Sequence, residues 1–256
     1  MIGASVPVEQ NARPENPART SQLLAGLFPS SVIACELRET ADSALLLPEE
    51  AGSCDGFRPK RLAEFAAGRL CARRALDGLG FPDFALRQNV DRTPRWPAGV
   101  VGSITHTVGF CGAVVERRAN VAGLGVDAEI VARVGRELWR QVFTASEFAQ
   151  LDPLGAAQRE RLAALVFSAK EAFYKCQFAL TARWLEFSDV SVEVRPDSVQ
   201  AGSFVVRSAS TQASWILRGL AAEGRYRFDG ALVVTGIVIG THEASVLAPR
   251  NPLAVA

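Results

Sequence analysis

Apolar residues recur at helical spacing from Pro59 to Leu79, at Leu62, Phe65, Ala66, Leu70 and Leu76, before Gly80 and Pro82 end the run. This pattern predicts a long amphipathic helix, and Arg159–Phe178 predicts a second. Ser31–Leu37, Val100–Thr105, Cys111–Glu116 and Val121–Ile130 read as strands around the first helix. Val190–Val194, Phe204–Arg207, Trp215–Leu220 and Leu232–Ile239 read as strands after the second. Ala41–Leu47 with Pro48, Glu49 and Glu50 predicts a short helix and a turn, and Arg136–Val142 and Ser146–Leu151 predict short helices. Residues 1–20, with Pro7, Pro14, Pro17, Asn11 and Asn16, show no apolar period and are expected to form a mobile tail. Parallel βαβ periodicity is absent. The expected fold is α+β, with two pseudo-symmetric α+β halves, 21–123 and 124–256, packed together and a site at their junction.

Composition narrows the function classes. The chain has 256 residues, 48% hydrophobic and 21% charged, as expected for a globular protein rather than a disordered or fibrous one. A formal net charge of +1 gives no global basic field for nucleic acid. Of 28 basic residues only Lys60, Lys170 and Lys175 are lysines, so each marks a place where a compact ammonium is wanted. The five cysteines are odd in number and scattered without a Cys-x-x-Cys, which points to a reducing compartment. No signal-peptide pattern opens the chain, and the apolar stretch near Gly230–Gly240 falls short of the roughly 20 residues that span a bilayer. A soluble, cytoplasmic protein is expected.

Four constellations carry candidate chemistry. In Gly125-Val-Asp-Ala-Glu129, strand periodicity puts Asp127 and Glu129 on one face, where a hard divalent cation would relieve their repulsion. A solvated strand edge is the alternative. Gly123-Leu-Gly125 lacks the third glycine of a dinucleotide loop and has acids where phosphates would approach. In Phe167-Ser-Ala-Lys-Glu-Ala-Phe-Tyr-Lys175, Glu171 and Lys175 lie one helical turn apart, as do Lys170 and Tyr174. A surface pair is the ordinary reading. The apolar neighbours Leu162, Leu165, Val166 and Phe173 favour instead a third carboxylate flanked by cations for phosphate oxygens. Lys60, Arg61, Arg69, Arg73 and Arg74 form a basic row on the first helix, either phosphate ligands or a solvated face. Gly102-Ser-Ile-Thr-His106 ends a strand on one of only two histidines.

Together with Lys60–Arg73, Pro94-Arg-Trp-Pro97, Leu47-Pro-Glu-Glu50 and the late Gly224-Arg-Tyr-Arg and Ala231-Leu-Val-Val-Thr235, these motifs occur in an order that resembles the Sfp-type 4′-phosphopantetheinyl transferases. The likeness runs from about residue 30 to 240 and is strongest to the bacterial branch that includes the enterobactin-synthase component and mycobacterial and actinobacterial enzymes. It implies transfer of the phosphopantetheine arm of coenzyme A to a serine of an apo carrier protein, releasing 3′,5′-ADP. Fatty-acid, polyketide and non-ribosomal peptide synthases, including siderophore systems, all present such carriers. It also implies magnesium held by Asp127, Glu129 and Glu171, with Glu171 as general base, directly or through a water. Lys175, with Lys170 beside it, is implied at the pyrophosphate, and Arg61, Arg69, Arg92, Thr105 and His106 at the adenosine end. A monomer is expected, with the N-terminal half binding coenzyme A and the C-terminal half holding the metal and docking the carrier.

Two other activities fit the same residues. A magnesium-dependent phosphoesterase would also use three carboxylates and lysines, and a non-catalytic module would dock carriers without transfer. For docking, Arg133, Arg136 and Arg140 lie among Val134, Leu138, Trp139, Val142 and Phe143, with Trp139 as the expected apolar anchor; the alternative is that Leu138 and Trp139 pack into the core of the second half, Leu138 above all.

Overall fold

The computed structural model describes residues 23–251, so the expected tail at 1–20 lies outside the described residues. Strands β1 (Ile33–Leu37), β2 (Val100–Thr107) and β3 (Phe110–Arg117) form an antiparallel sheet in the order β1-β3-β2. Helix α1 (Pro48–Ala51) precedes α2 (Pro59–Gly78). Proline at the start of α2 suits the first helical turn, where its missing N–H has no partner to lose. The buried stripe Ala66, Ala67, Cys71, Ala72, Ala75 and Leu76 then packs on Cys35, Val100, Cys111, Ala113 and Val115 of the sheet.

The second half holds α3 (Arg136–Val142), α4 (Ala145–Leu151), α5 (Ala156–Thr181), α6 (Thr211–Leu217) and α7 (Thr241–Ala244). Its sheet comprises β4 (Gly123–Ile130), β5 (Val190–Pro196), β6 (Ala201–Ser208), β7 (Ala222–Asp229) and β8 (Leu232–Ile239), ordered β4-β8-β7-β6-β5. The pairs in both sheets are antiparallel. Each half is thus a helix on an antiparallel sheet, and the fold is α+β. The halves meet through a shared core of Leu24, Leu27, Phe28, Val101, Val114, Val126 and Val234. There the Ser103 hydroxyl of β2 accepts the Val126 N–H of β4 at 3.1 Å.

Two expectations are corrected, and one strand is added. Trp215–Leu220 is not a strand: α6 occupies Thr211–Leu217, capped by the Ser210 side chain accepting from Ala213 N–H and ended by Arg218 in the left-handed region. Its buried Ala213, Ile216 and Leu217 follow a helical period that the apolar run Trp-Ile-Leu conceals. Pro48–Glu50 begins α1 rather than a turn. The strand β7 escaped notice although Ala222, Gly224, Tyr226 and Phe228 alternate as buried residues with exposed charged ones.

Gly123 and Gly125 have a packing reason. A Cβ on Gly125 would stand 1.9 Å from the Ala172 carbonyl oxygen of α5, and one on Gly123 would meet Cys176 at 2.9 Å. The helix backbone therefore lies directly against β4 because those positions lack side chains. Gly125→Ala must push the helix and strand apart, an overpacking cost of roughly 3 kcal/mol, which should lower Tm by about 6–12 °C in calorimetry. Gly52→Ala is the control, since a Cβ there would have no atom within 4 Å, and should stay within about 2 °C.

Candidate active site

Close packing of α5 on β4 brings Glu171 and Lys175 to the strand that bears Asp127 and Glu129. Lys175 Nζ donates to Asp127 Oδ1 at 2.6 Å and to the Val126 carbonyl at 3.1 Å. Across the junction, the Thr105 hydroxyl of β2 donates to the same Asp127 oxygen at 3.2 Å. The other oxygen, Asp127 Oδ2, is buried without a partner. Burial first, then the charge of Asp127 and that of Glu171, push Glu129 up to about 8, while Lys175 opposes the shift. Burial likewise raises Glu171, with Lys175 opposing and Asp127 adding to the rise.

Among the described residues no three such side chains are already drawn together to hold a metal, and the counter-charge comes from Lys175. The donor chemistry nevertheless suits a hard divalent cation: the donors are carboxylate oxygens, and one of them, Asp127 Oδ2, is buried and unpartnered.

Beside this cluster, Arg61 donates through Nη1 to His106 Nε2 at 2.7 Å. Because a guanidinium only donates, His106 accepts there and carries its proton on Nδ1. Burial, and then the charge of Arg61, push the imidazole below its ordinary range, which fits this neutral form. Two turns further along α2, Arg69 is 4% exposed and stacks 4.1 Å over the Phe65 ring, yet its Nε and one Nη have no partner. Burial pulls it down to about 10, against the charge of Glu50. Those two nitrogens are donors with capacity to spare for an acceptor. The Trp96 indole of Pro94-Arg-Trp-Pro97 packs on β2, where it would lie 2.7 Å from a Cβ on Gly102, and so backs the strand carrying Thr105 and His106.

Two expected residues stand apart. Arg92 is exposed at a turn with a φ of +66°, and nothing joins its side chain to His106 or Asp127. Lys170 is corrected outright: it is fully buried and donates to the Val142 carbonyl (2.7 Å), the Glu147 carboxylate (2.8 Å) and the Phe187 carbonyl (2.8 Å). A lysine has three N–H donors, so none is left for a pyrophosphate. Its neighbour in sequence, Glu171, leaves α5 about 100° further round. Trp139 is also corrected as an exposed anchor, being 8% exposed with its indole N–H on the Val134 carbonyl.

Sequence reading missed Glu147 and Glu50. Glu147 is legible as the fourth residue of a Thr144-Ala-Ser-Glu capping box. Glu50 is fully buried, accepts the N–H groups of Leu47 and Leu86, and pairs with Arg73. No local signal marks that role.

Comparison with known proteins places the chain in a family. A family model described as "4'-phosphopantetheinyl transferase N-terminal domain" matches residues 50–116, and "4'-phosphopantetheinyl transferase superfamily" matches 123–229. The chain is 38% identical over 234 residues to 4'-phosphopantetheinyl transferase Svp of Streptomyces mobaraensis, covering 87% of this chain and 93% of that protein. It is 36% identical over 225 residues to 4'-phosphopantetheinyl transferase PptT of Mycobacterium tuberculosis, covering 85% and 98%. Enterobactin synthase component D of Escherichia coli is 36% identical over 135 residues, covering 52% and 63%. The chain belongs to the 4'-phosphopantetheinyl transferase superfamily and is a transferase of that class.

Arg69→Met should remove the cost of the idle buried donors. Ligand-free Tm is expected to hold or rise by about 2–4 °C, equivalent to ~1 kcal/mol, and, on the reading proposed below that Arg69 takes a phosphate, stabilisation by adenosine 3′,5′-bisphosphate should disappear. A thermal-shift titration of both proteins checks each half of this statement.

Proposed function

We propose that the chain moves the 4′-phosphopantetheine arm of coenzyme A onto a serine of an apo acyl or peptidyl carrier protein, with magnesium held by Asp127, Glu129 and Glu171. The observation that carries this reading is Asp127 itself. It is bonded by Thr105 from one half and Lys175 from the other, and keeps one buried oxygen unpartnered. Arg61, Arg69 and His106 supply the adenosine end, above all the 3′-phosphate, and Arg92 stands outside them. Magnesium supplies charge neutralisation at the two phosphoryl groups when bound.

In this reading the serine Oγ forms a bond to the β-phosphorus, and the bond from that phosphorus to the bridging oxygen breaks. The electron pair leaves on 3′,5′-ADP. Glu171 takes the serine proton, directly or through a water. Lys175 offers its ammonium to the growing charge on the leaving phosphate. One chain supplies both sides of the junction, which fits a monomer. The five cysteines are free thiols and no described helix is long and apolar enough to cross a membrane, consistent with a cytoplasmic setting.

The basic face on α3 and the turn before it is part of the proposal. Arg133, Arg136 and Arg140 are exposed and Leu138 is half-buried, a surface suited to an acidic carrier.

The experiment is to incubate the protein with coenzyme A, magnesium and an apo carrier, and to weigh the carrier. The carrier gains the mass of one phosphopantetheine arm if the reading is right. Cleavage of coenzyme A without a carrier would reveal a phosphoesterase, and an unmodified carrier a binding module. Asp127→Ala and Glu171→Ala should each lower transfer at least about 100-fold while Tm holds, since each removes part of several kcal/mol of charge stabilisation.

Lys175→Ala should depress kcat more than it raises KM for coenzyme A, because its partner charge grows during reaction. Arg61→Ala should do the reverse and weaken discrimination against dephospho-coenzyme A. Steady-state kinetics with both substrates separates the two roles. Equal effects on kcat and KM in both variants would contradict them.

A further inference from the structure

Lys170 and Glu147 form an ion pair that is 0% and 2% exposed at its side chains, and the reaction makes no use of it. An apolar pair of similar volume would fill the same space without the cost of desolvating two charges. The difference lies in what the pair bonds. Lys170 Nζ binds the carbonyl of Val142, the last residue of α3, one of the helix-end acceptors that lack an intrahelical donor. Glu147 Oε2 accepts the N–H and hydroxyl of Thr144, the cap that starts α4, and Oε1 accepts the Val192 N–H of β5. A third Lys170 bond reaches the Phe187 carbonyl just before β5.

The pair therefore closes the end of one helix and the start of the next, and ties both to α5 and to the edge of the sheet. Each of those two helices has only seven residues, too few to hold a conformation unaided. Arg136 and Arg140 ride on the first of them. Lys170 itself precedes Glu171, so the clamp is rooted in the same turn of α5 as the proposed base.

We propose that the Glu147–Lys170 pair is a positioning device for the carrier protein: it fixes the α3–α4 segment against α5, so that the basic docking face and the Glu171–Lys175 face keep one spatial relation. This rests on the reading of Arg136 and Arg140 as carrier contacts given above. The pair acts on the second substrate and not on coenzyme A.

The test compares Glu147→Gln, Lys170→Met and Arg136→Glu/Arg140→Glu with the parent enzyme. It measures KM for apo carrier, KM for coenzyme A, and amide hydrogen exchange across residues 133–151. Glu147→Gln and Lys170→Met should each raise carrier KM about tenfold with KM for coenzyme A within about twofold. Exchange should quicken over 136–151 while the core of α5 stays protected. Glu147→Gln is nearly isosteric and keeps an acceptor for Val192, so it decides the matter if Lys170→Met does not fold.

A rise in KM for coenzyme A with carrier KM unchanged would overturn the proposal and return Lys170 to the pyrophosphate. Unchanged values of both would reduce the pair to core packing. If the arginine reversal raises carrier KM and Glu147→Gln does not, the positioning role is wrong. If Glu147→Gln raises it and the arginine reversal does not, positioning stands and the docking face lies elsewhere on the segment.

Discussion

The site depends on one close approach, that of the α5 backbone to β4. The Ala172 carbonyl occupies the space a side chain would need on Gly125, so the helix lies nearer the strand than two ordinary side-chain surfaces permit. At that separation Lys175 reaches both Asp127 and the Val126 carbonyl. The strand is fixed from the other side by Ser103 and Thr105 of β2. The two halves, which share the core around Leu24, Val114 and Val126, also meet at Asp127, where like charges are concentrated.

That concentration runs against stability. Burial and mutual repulsion hold Glu129 and Glu171 above the ordinary carboxylate range, and Arg69 keeps two buried donors without acceptors. A protein that only needed to fold would have filled these positions with apolar groups. Asp127 on β4 keeps one buried oxygen without a donor, and Arg69 on α2 keeps two nitrogens without an acceptor. The buried Glu147–Lys170 pair differs in kind. Its demands are all met, chiefly by backbone groups, and so it fixes geometry without offering a ligand anything.

The amino-acid sequence by itself determined the long helices, most of the strands, the carboxylate pair on one face of β4, and the order of motifs that marks the family. Those features are periodic or local: a strand turns its side chains every two residues and a helix repeats near every 3.6, so spacing alone reports the face. The period also failed locally. Trp215-Ile-Leu217 looks like a buried strand because three apolar residues in a row carry no period, and only the Ser210 cap and the left-handed Arg218 make it a helix end.

The tertiary structure decided which charges meet. Lys170 and Lys175 lie on one helix, five residues apart and equally eligible for a phosphate. Lys175 meets Asp127 of β4, 48 positions earlier in the chain, whereas Lys170 turns into the core toward Glu147. Glu50 and Arg69 are similar cases, one met by the Leu47 and Leu86 N–H groups and by Arg73, and the other left with two unpartnered nitrogens. The energy of a charge is set by burial and by the groups that surround it in space. Those neighbours come from segments far apart in the chain, which spacing along the sequence does not encode.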